Sequence, residues 1–378
     1  MKLSCDWLAA PSLRAVFAAF DAAGHRAYLV GGAVRNAVLG QAVHDMDLAT
    51  AARPQEVLTL ARAAGLKAVG TGLEHGTVTI IANGVPHEVT SFRADVETDG
   101  RRARVAFTDD MAEDARRRDF TMNALYADAT GRVIDPLGGL PDALAGRVRF
   151  IEDADQRIQE DYLRILRFFR FSAWYGVEHG IDAEGLAAVA RHVDGLDGIA
   201  RERIGAEMLR LLGAPDPAPA MAAMRQAGVL ARVLPGADDA ALAPLVHHED
   251  GIAPDALRRL AVLGGVDVAD ALRLSRQDAR RLTVLRDGIG APAGAGELGY
   301  RHGVQTGLDI LLLRAAVFTQ PLMPDARAAL MKGAKAKFPI SAADLMPHYC
   351  GPSLGAKLAE LESRWIASDF TATRADLL

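Results

Sequence analysis

Apolar residues recur at helical spacing from Leu13 to Ala23, and the short run Ala27 to Val30 ends at Gly31-Gly32, as a buried strand entering a tight turn does. Residues Ala33 to Leu39 predict a helix closed by Gly40. The string HDMDLAT (44–50) alternates charged and apolar positions with the period of a strand, and a helix is predicted after Pro54. TVTIIANGVPHEVTSFR (77–93) predicts a hairpin turning at Asn83-Gly84, whereas the polar, charged stretch Arg93 to Arg104 predicts a mobile loop. About Ile151 the texture changes: strand patterns stop and helical periodicity runs to the end, broken by Pro and Gly near 213–219, 251–254 and 288–296. The pattern predicts an α+β protein with a mixed head over 1–150, then helical parts over 151–215 and 216–378. At 378 residues the chain exceeds one ordinary core, in keeping with that division.

Charge adds one constraint. Lysine and arginine number 43 against 48 acidic residues, a net charge of −5, which weighs against nucleic-acid binding unless cations cluster locally. Lys332, Lys335 and Lys337 form one cluster, open to reading as a solvated helix end or as an RNA contact. Cys5 and Cys350 sit at opposite ends without CxxC spacing, so neither a disulfide framework nor a zinc site is indicated. The first residues lack the apolar core of a secretory signal, and no stretch approaches the ~18 apolar residues of a membrane span. A cytoplasmic protein with no membrane association is expected.

Candidate chemistry begins at the glycine pair. Gly31 and Gly32 at a strand-to-helix turn allow close backbone approach and aim helix N-terminal amides at an anion such as a triphosphate, and Arg35 stands within the first helical turn. A plain turn explains the pair as well. Asp45 and Asp47, two apart on the predicted strand, put both carboxylates on one face. Like charges so close raise each other's pKa unless a cation lies between them, and hard oxygen donors suit Mg²⁺. Two solvated aspartates on an exposed strand are the bland alternative. A third carboxylate is sought, with Glu88 the candidate and Asp109, Asp110 and Glu113 its competitors.

Two further strings carry charge beside apolar positions. In ARRRDFTMNALYAD (115–128) Arg118 suits a triphosphate, while Asp119 and Asn123, four apart on a predicted helix face, suit ribose hydroxyls; a helix cap with solvated arginines is the alternative. In QEDYLRILRFFRF (159–171) Asp161 and Arg164 fall about 60° apart around a helix, so together they can present acceptors and donors to a nucleobase edge. Arg170 falls about 180° from Asp161 and is excluded from that contact unless the helix bends. An amphipathic helix with i,i+3 ion pairs accounts for the same row.

Together LVGGAVRN, HDMDLAT, RRDFTMNA, DPLGG, EDYLR and ARERIGAE, in this order from Leu29 to Glu207, resemble the bacterial and eukaryotic class of CCA-adding tRNA nucleotidyltransferases and the related bacterial poly(A) polymerases. The resemblance implies a polymerase-β-like nucleotidyltransferase head followed by an all-helical neck, body and tail, with tRNA along the helical parts. It implies Mg²⁺ on Asp45 and Asp47, nucleotide phosphates on Gly32, Arg35 and Arg118, and ribose selection by Asp119. Asp161 and Arg164 would template the incoming CTP or ATP, assisted by Arg167 and Arg170. Asp135 and Gly138-Gly139 match a hinge segment, and Arg201, Glu202, Arg203 and Glu207 a helix supporting the template. Partners would be tRNA, CTP and ATP, with no obligate protein partner. Poly(A) polymerase is the rival activity, with the alanine closing RRDFTMNA and the loop TDGR (98–101) favouring CCA addition. A non-catalytic RNA-binding relative is the alternative outside enzymology. Asn36 departs from the family's frequent aspartate, keeping hydrogen bonding while losing charge. His247-His248-Glu249-Asp250 is read as an exposed helix end or loop, not a metal site.

Overall fold

The computed structural model describes residues 1–43, 45–99, 102–176, 180–346 and 348–378, with side chains described throughout except at 95–99 and 102–105. Chain contacts divide it into two compact units, Met1–Val233 and Leu234–Leu378.

The first unit is built on strands β1 Ala27–Val30, β2 Leu48–Thr50, β3 Lys67–Gly72, β4 Thr77–Ala82, β5 Val85–Ser91, β6 Arg93–Asp99, β7 Arg102–Phe107, β8 Tyr126–Ala127 and β9 Val133–Ile134. Its helices are α1 Pro11–Ala22, α2 Gly32–Val38, α3 Pro54–Ala63, α4 Met111–Arg116, α5 Leu140–Leu144, α6 Ala154–Glu160, α7 Leu163–Tyr175, α8 Ala183–Arg191, α9 Arg201–Leu212, α10 Ala218–Gln226 and α11 Val229–Val233. Among the described residues seven strands form one sheet in the order β3-β4-β5-β2-β1-β8-β9. Only β2 and β5 run parallel, with Leu48 opposite Val89. In β4 burial alternates along the strand, the period-two signature of a sheet with one covered face. Asn83 and Gly84 both take positive φ, as a two-residue hairpin requires. On one side α1 and α3 pack against β4 and β3, burying Leu13, Val16, Phe20, Val57 and Leu60. A second cluster joins Val30, Ala49, Phe92, Ala115, Ala124, Tyr126 and Ile151.

Four local expectations are corrected. Residues 93–99 and 102–104 are not a loop: β6 and β7 pair antiparallel as a separate two-stranded ribbon, polar enough to have masked its alternation. The string TDGR (98–101) lies partly outside the described residues. Asp45 and Asp47 precede β2 and do not sit on it, since pairing with β5 starts at Leu48. Asp119 to Asn123 form no α-helix but a single 3₁₀ turn, Thr121–Asn123, because the chain must enter β8 three residues later. The helix expected through 160–171 breaks at Asp161, which is extended (φ −153°, ψ 103°), its carboxylate accepting from the Leu163 amide at 3.1 Å as α7 begins.

The first unit closes after Val233, beyond the 215/216 boundary expected from texture, because α10 packs back on α7 and α11 on the 193–198 turn. There Arg232 is ion-paired with Asp194 and Asp197.

The second unit is helical: α12 Leu242–His248, α13 Ala256–Leu263, α14 Val268–Ala271, α15 Arg276–Gly290, α16 Ala295–Phe318, α17 Ala326–Lys335, α18 Ala342–Leu345, α19 Gly351–Ala367 and α20 Arg374–Leu377. Helices α16 and α17 meet through glycines, and a Cβ at Gly333 would overlap the Gly296 carbonyl. Glu249 corrects the reading of 247–250 as exposed: it is buried and accepts from Arg258 at 2.7 Å and Arg259 at 2.8 Å. Arg258 also donates to Asp309 at 2.8 Å, so each buried charge in this network has an opposite partner. Lys332 pairs with Asp369, while Lys335 and Lys337 stay exposed. No helix among the described residues is long and apolar enough to cross a membrane.

Candidate active site

A cleft of about 740 Å³ opens in the first unit, lined by Gly31 and Gly32, by Asp45 and Asp47, by Arg118, Asp119 and Asn123, and by Asp161, Arg164, Arg167 and Arg170. Every sequence-predicted site residue but Glu88, Arg35 included, therefore lines one cavity, together with Val30, Leu163, Phe171, Arg203 and Arg210. Seven arginines face four aspartates there, so an acidic chain presents a cationic cleft, the charge balance a triphosphate or an RNA backbone needs.

The glycine turn follows from β1. Gly31 has φ 66° and ψ −121°, strained for any side chain, and a Cβ there would come within 3.3 Å of the Arg118 guanidinium. Glycine thus lets Arg118 lie against the turn. Arg118 donates to the buried Asp114 at 3.0 Å and stacks over Tyr126, yet its Nε is buried with no acceptor among the described residues. An anion in the cleft would supply one.

At the other side stand the carboxylates. The Val30 amide donates to the Asp47 carbonyl at 3.0 Å, tying Asp47 to the end of β1 beside the glycine turn. Because Leu48 pairs with Val89, the residues one step back, Asp47 and Glu88, are also neighbours across the parallel strands. Crowding by surrounding atoms, then the negative charges of Glu88 and Asp45, holds the Asp47 carboxyl above its ordinary value, with Arg118 opposing. The competitors are engaged elsewhere: Asp109 with Arg53 at 2.9 Å, Asp110 capping α4 at 2.8 Å, Glu113 accepting from Thr108. No three His, Cys, Asp or Glu side chains among the described residues converge into a closed coordination shell. Asp47, its proton affinity raised, with Asp45 and Glu88 close by and a phosphate-sized cleft beside them, nevertheless fits a hard divalent cation that keeps most of its shell as water and substrate oxygen.

Asp119 sits at the centre. Burial would raise its pKa, but the Arg167 charge, ion-paired to Oδ2 through Nη2 at 2.5 Å and hydrogen-bonded to it through Nε at 2.7 Å, and bonds from the Asn123 amide and the Phe120 N–H to Oδ1 (2.9 Å each) win, and it is held below the carboxylate range. Asp119 and Asn123, expected side by side on a helix face, are brought together by the 3₁₀ turn instead and bond to each other. Arg35 is more enclosed than expected of a phosphate ligand. It donates to Asn123 Oδ1 at 2.5 Å, to Asn36 Oδ1 at 2.9 and 3.1 Å and to the Tyr175 hydroxyl at 2.7 Å, with its guanidinium 4.3 Å from the Tyr175 ring centre. Asn36 in turn donates to the Ala42 carbonyl at 2.9 Å, a bond an aspartate could not make.

The break at Asp161 undoes the helical-wheel arithmetic: Asp161 is not on α7, and Asp161, Arg164, Arg167 and Arg170 line the cleft together. Arg203 donates to Asp161 at 2.8 Å. Arg164 is oriented by Glu160 at 2.6 Å and by the carbonyls of Arg157 and Arg117, at 2.8 Å each. Glu207 of α9 accepts from Arg170 at 2.5 Å. Gly139 belongs to the supporting structure: Asp135 accepts from its amide at 2.8 Å, and a Cβ would overlap the Thr121 carbonyl beneath the 3₁₀ turn. Arg210 was not foreseen, although it stands seven residues from Arg203 and so on the same face of α9.

A mixed sheet carrying a glycine turn and acidic residues is thus joined to helices that supply a row of arginines, a sheet-built head with a helical extension. Residues 27–149 match the family described as the poly(A) polymerase head domain, and residues 180–241 match "probable RNA and SrmB-binding site of polymerase A". The chain is 43% identical over 195 residues to a CCA-adding enzyme of Streptococcus pyogenes, covering 51% of this chain and 47% of that one. It is 42% identical over 186 residues to a mitochondrial CCA tRNA nucleotidyltransferase of Danio rerio, covering 49% and 43%. The chain thus spans about half the length of the curated relatives it matches. Across 95% of this chain and 93% of the other, the structure is similar to the Bacillus stearothermophilus CCA-adding enzyme in complex with CTP, with a TM-score of 0.74 and 26% identity. The Thermotoga maritima CCA-adding enzyme complexed with tRNA shares the fold, with a TM-score of 0.71, 19% identity and coverage of 100% and 97%.

Proposed function

We propose that the chain adds CCA to the 3′ end of tRNA from CTP and ATP, in the cytoplasm, using Mg²⁺. The observation that carries this is the single cleft in which Asp45 and Asp47 face the glycine turn and Arg118, with Asp119 and the arginine row of α7 completing the wall. Asp45 and Asp47, with Glu88 beside them, would hold the divalent ion, which when bound lowers the barrier to hydroxyl ionisation and neutralises charge on the departing pyrophosphate. The turn and Arg118 receive the triphosphate, with the buried Arg118 Nε as an available donor. Asp119, held ionised, accepts from a ribose hydroxyl, and Asp161 with Arg164 reads the base edge. The tRNA 3′-oxygen attacks the α-phosphorus, the bond to the β-phosphate oxygen breaks, and pyrophosphate leaves. Arg35 orders Asn123 and hence Asp119.

The test is incubation of a tRNA transcript lacking its last three nucleotides with Mg²⁺, CTP and ATP, resolving products at single-nucleotide length. Three additions, stopping at two without ATP, are expected. A long adenylate ladder from ATP alone would replace the reading with poly(A) polymerase, and no extension would favour a non-catalytic RNA binder.

A further inference from the structure

Trp174 takes no part in the site described above, yet it stands on the cleft-facing side of α7. At about 100° per residue it lies only about 20° round from Arg167, between Arg170 and Phe171, and about 6 Å along the axis from Arg170. A tryptophan at the end of such a row would ordinarily be covered. This one is 38% exposed. Its Nε1 donates to the Arg210 carbonyl at 2.9 Å, which fixes the ring while using its only polar atom. Beside it the Arg210 side chain, 65% exposed, lines the cleft and is only loosely held, its Nη1 lying 3.5 Å from Glu207. A pinned, half-open indole one helical turn beyond Arg170, held by a residue whose solvated guanidinium lines the cationic cleft, is a stacking surface with a phosphate donor nearby.

We propose that Trp174 is the stacking platform for a nucleobase of the RNA acceptor, with Arg210 on an adjacent phosphate. The base is not that of the incoming nucleotide. Arg164, which would read that base, lies ten residues away, about 15 Å along the helix, beyond the reach of one base. RNA fits better than an apolar partner, because Arg210, whose carbonyl holds the indole, lines the same cationic cleft as Arg170 and Arg203, and a single ring offers too little apolar area for a protein interface.

The proposal rests on the reading of the cleft as an RNA-extending site, and its test separates the two. Binding of a fluorescein-labelled tRNA transcript lacking CCA is measured by anisotropy without nucleotide, and extension kinetics are measured in parallel, for the wild type, Trp174→Ala and Trp174→Phe. Stacking of one base corresponds to roughly five-fold to a hundred-fold in affinity. Trp174→Ala should weaken RNA binding about ten-fold and raise the RNA KM alike, with the CTP KM unchanged; Trp174→Phe, which keeps a ring, should recover most of the loss. Unchanged RNA binding in Trp174→Ala, or RNA and CTP KM values that rise together, overturns the platform while extension by the wild type stands. Wild-type protein that binds RNA through Trp174 but adds nothing would remove the enzymatic reading and keep the platform.

Discussion

Removing the Glu207 carboxylate tests how the arginine row is held. Glu207 is 3% exposed and accepts from Arg170 at 2.5 Å. Burial and then the neighbouring Arg167 charge weaken Arg170's hold on its proton, and Glu207 is the main opposing influence. Glu207→Ala therefore leaves a guanidinium with a like charge beside it and only the weaker influence of Asp119 to oppose it. Orphaning one partner of a fully buried pair costs ~3–5 kcal/mol. The Arg170 side chain is 14% exposed and opens on the cleft, so water relieves part of this and about 2–3 kcal/mol is expected. For a unit of this size 1 kcal/mol corresponds to ~2–4 °C, so calorimetry should show the first unit's transition lowered by about 5–10 °C. Glu207→Gln keeps the shape and an acceptor and should cost about 1 kcal/mol. Added triphosphate should raise the melting temperature of Glu207→Ala more than that of the wild type, because the anion replaces the missing charge. A melting temperature of Glu207→Ala within 1–2 °C of wild type, or a glutamine variant as damaged as the alanine one, would refute the argument.

Four other outcomes are expected. Tyr175→Phe removes the hydroxyl that accepts from Arg35, worth about 1 kcal/mol, and should raise the nucleotide KM about three- to five-fold while RNA affinity measured by anisotropy stays put. Asp114, where Arg118 and Tyr126 outweigh burial, has a folded pKa below its unfolded value of about 3.9. Its contribution is therefore full above that value and lost as pH falls through the folded one. Urea unfolding should show Asp114→Asn costing about 2 kcal/mol at pH 7, a difference that shrinks below pH 4. In the second unit Gly333→Ala should destabilise by about 3 kcal/mol or more, because its Cβ meets the Gly296 backbone. Gly355→Ala, exposed inside α19 with nothing within reach, should stabilise by about 0.5–1 kcal/mol, as read by thermal melts of both variants.

The sequence by itself determined the ends of the elements that carry the strongest local signals. The run to Val30, the glycine turn, the Asn83-Gly84 hairpin and the change to helix after Ile151 all stand where hydrophobic period and turn chemistry put them, since these depend on a few consecutive residues. It also supplied the types of residue that would meet: the two aspartates, Arg118, Asp119, and the row of arginines in α7. Tertiary structure decided how they meet. A short parallel pairing of β2 with β5 sets Glu88 beside Asp47, and no local pattern specifies which strands will pair. The break at Asp161, which brings it into the same cleft as Arg170, comes from capping and from Arg203 on another helix, where wheel arithmetic had separated the two. The enclosure of Arg35 by Asn123 and Tyr175, and the support of Arg170 by Glu207, span 88, 140 and 37 positions of chain. Contacts at such separations leave no periodic trace, because only packing in three dimensions determines which charged side chains are desolvated together and so must find each other.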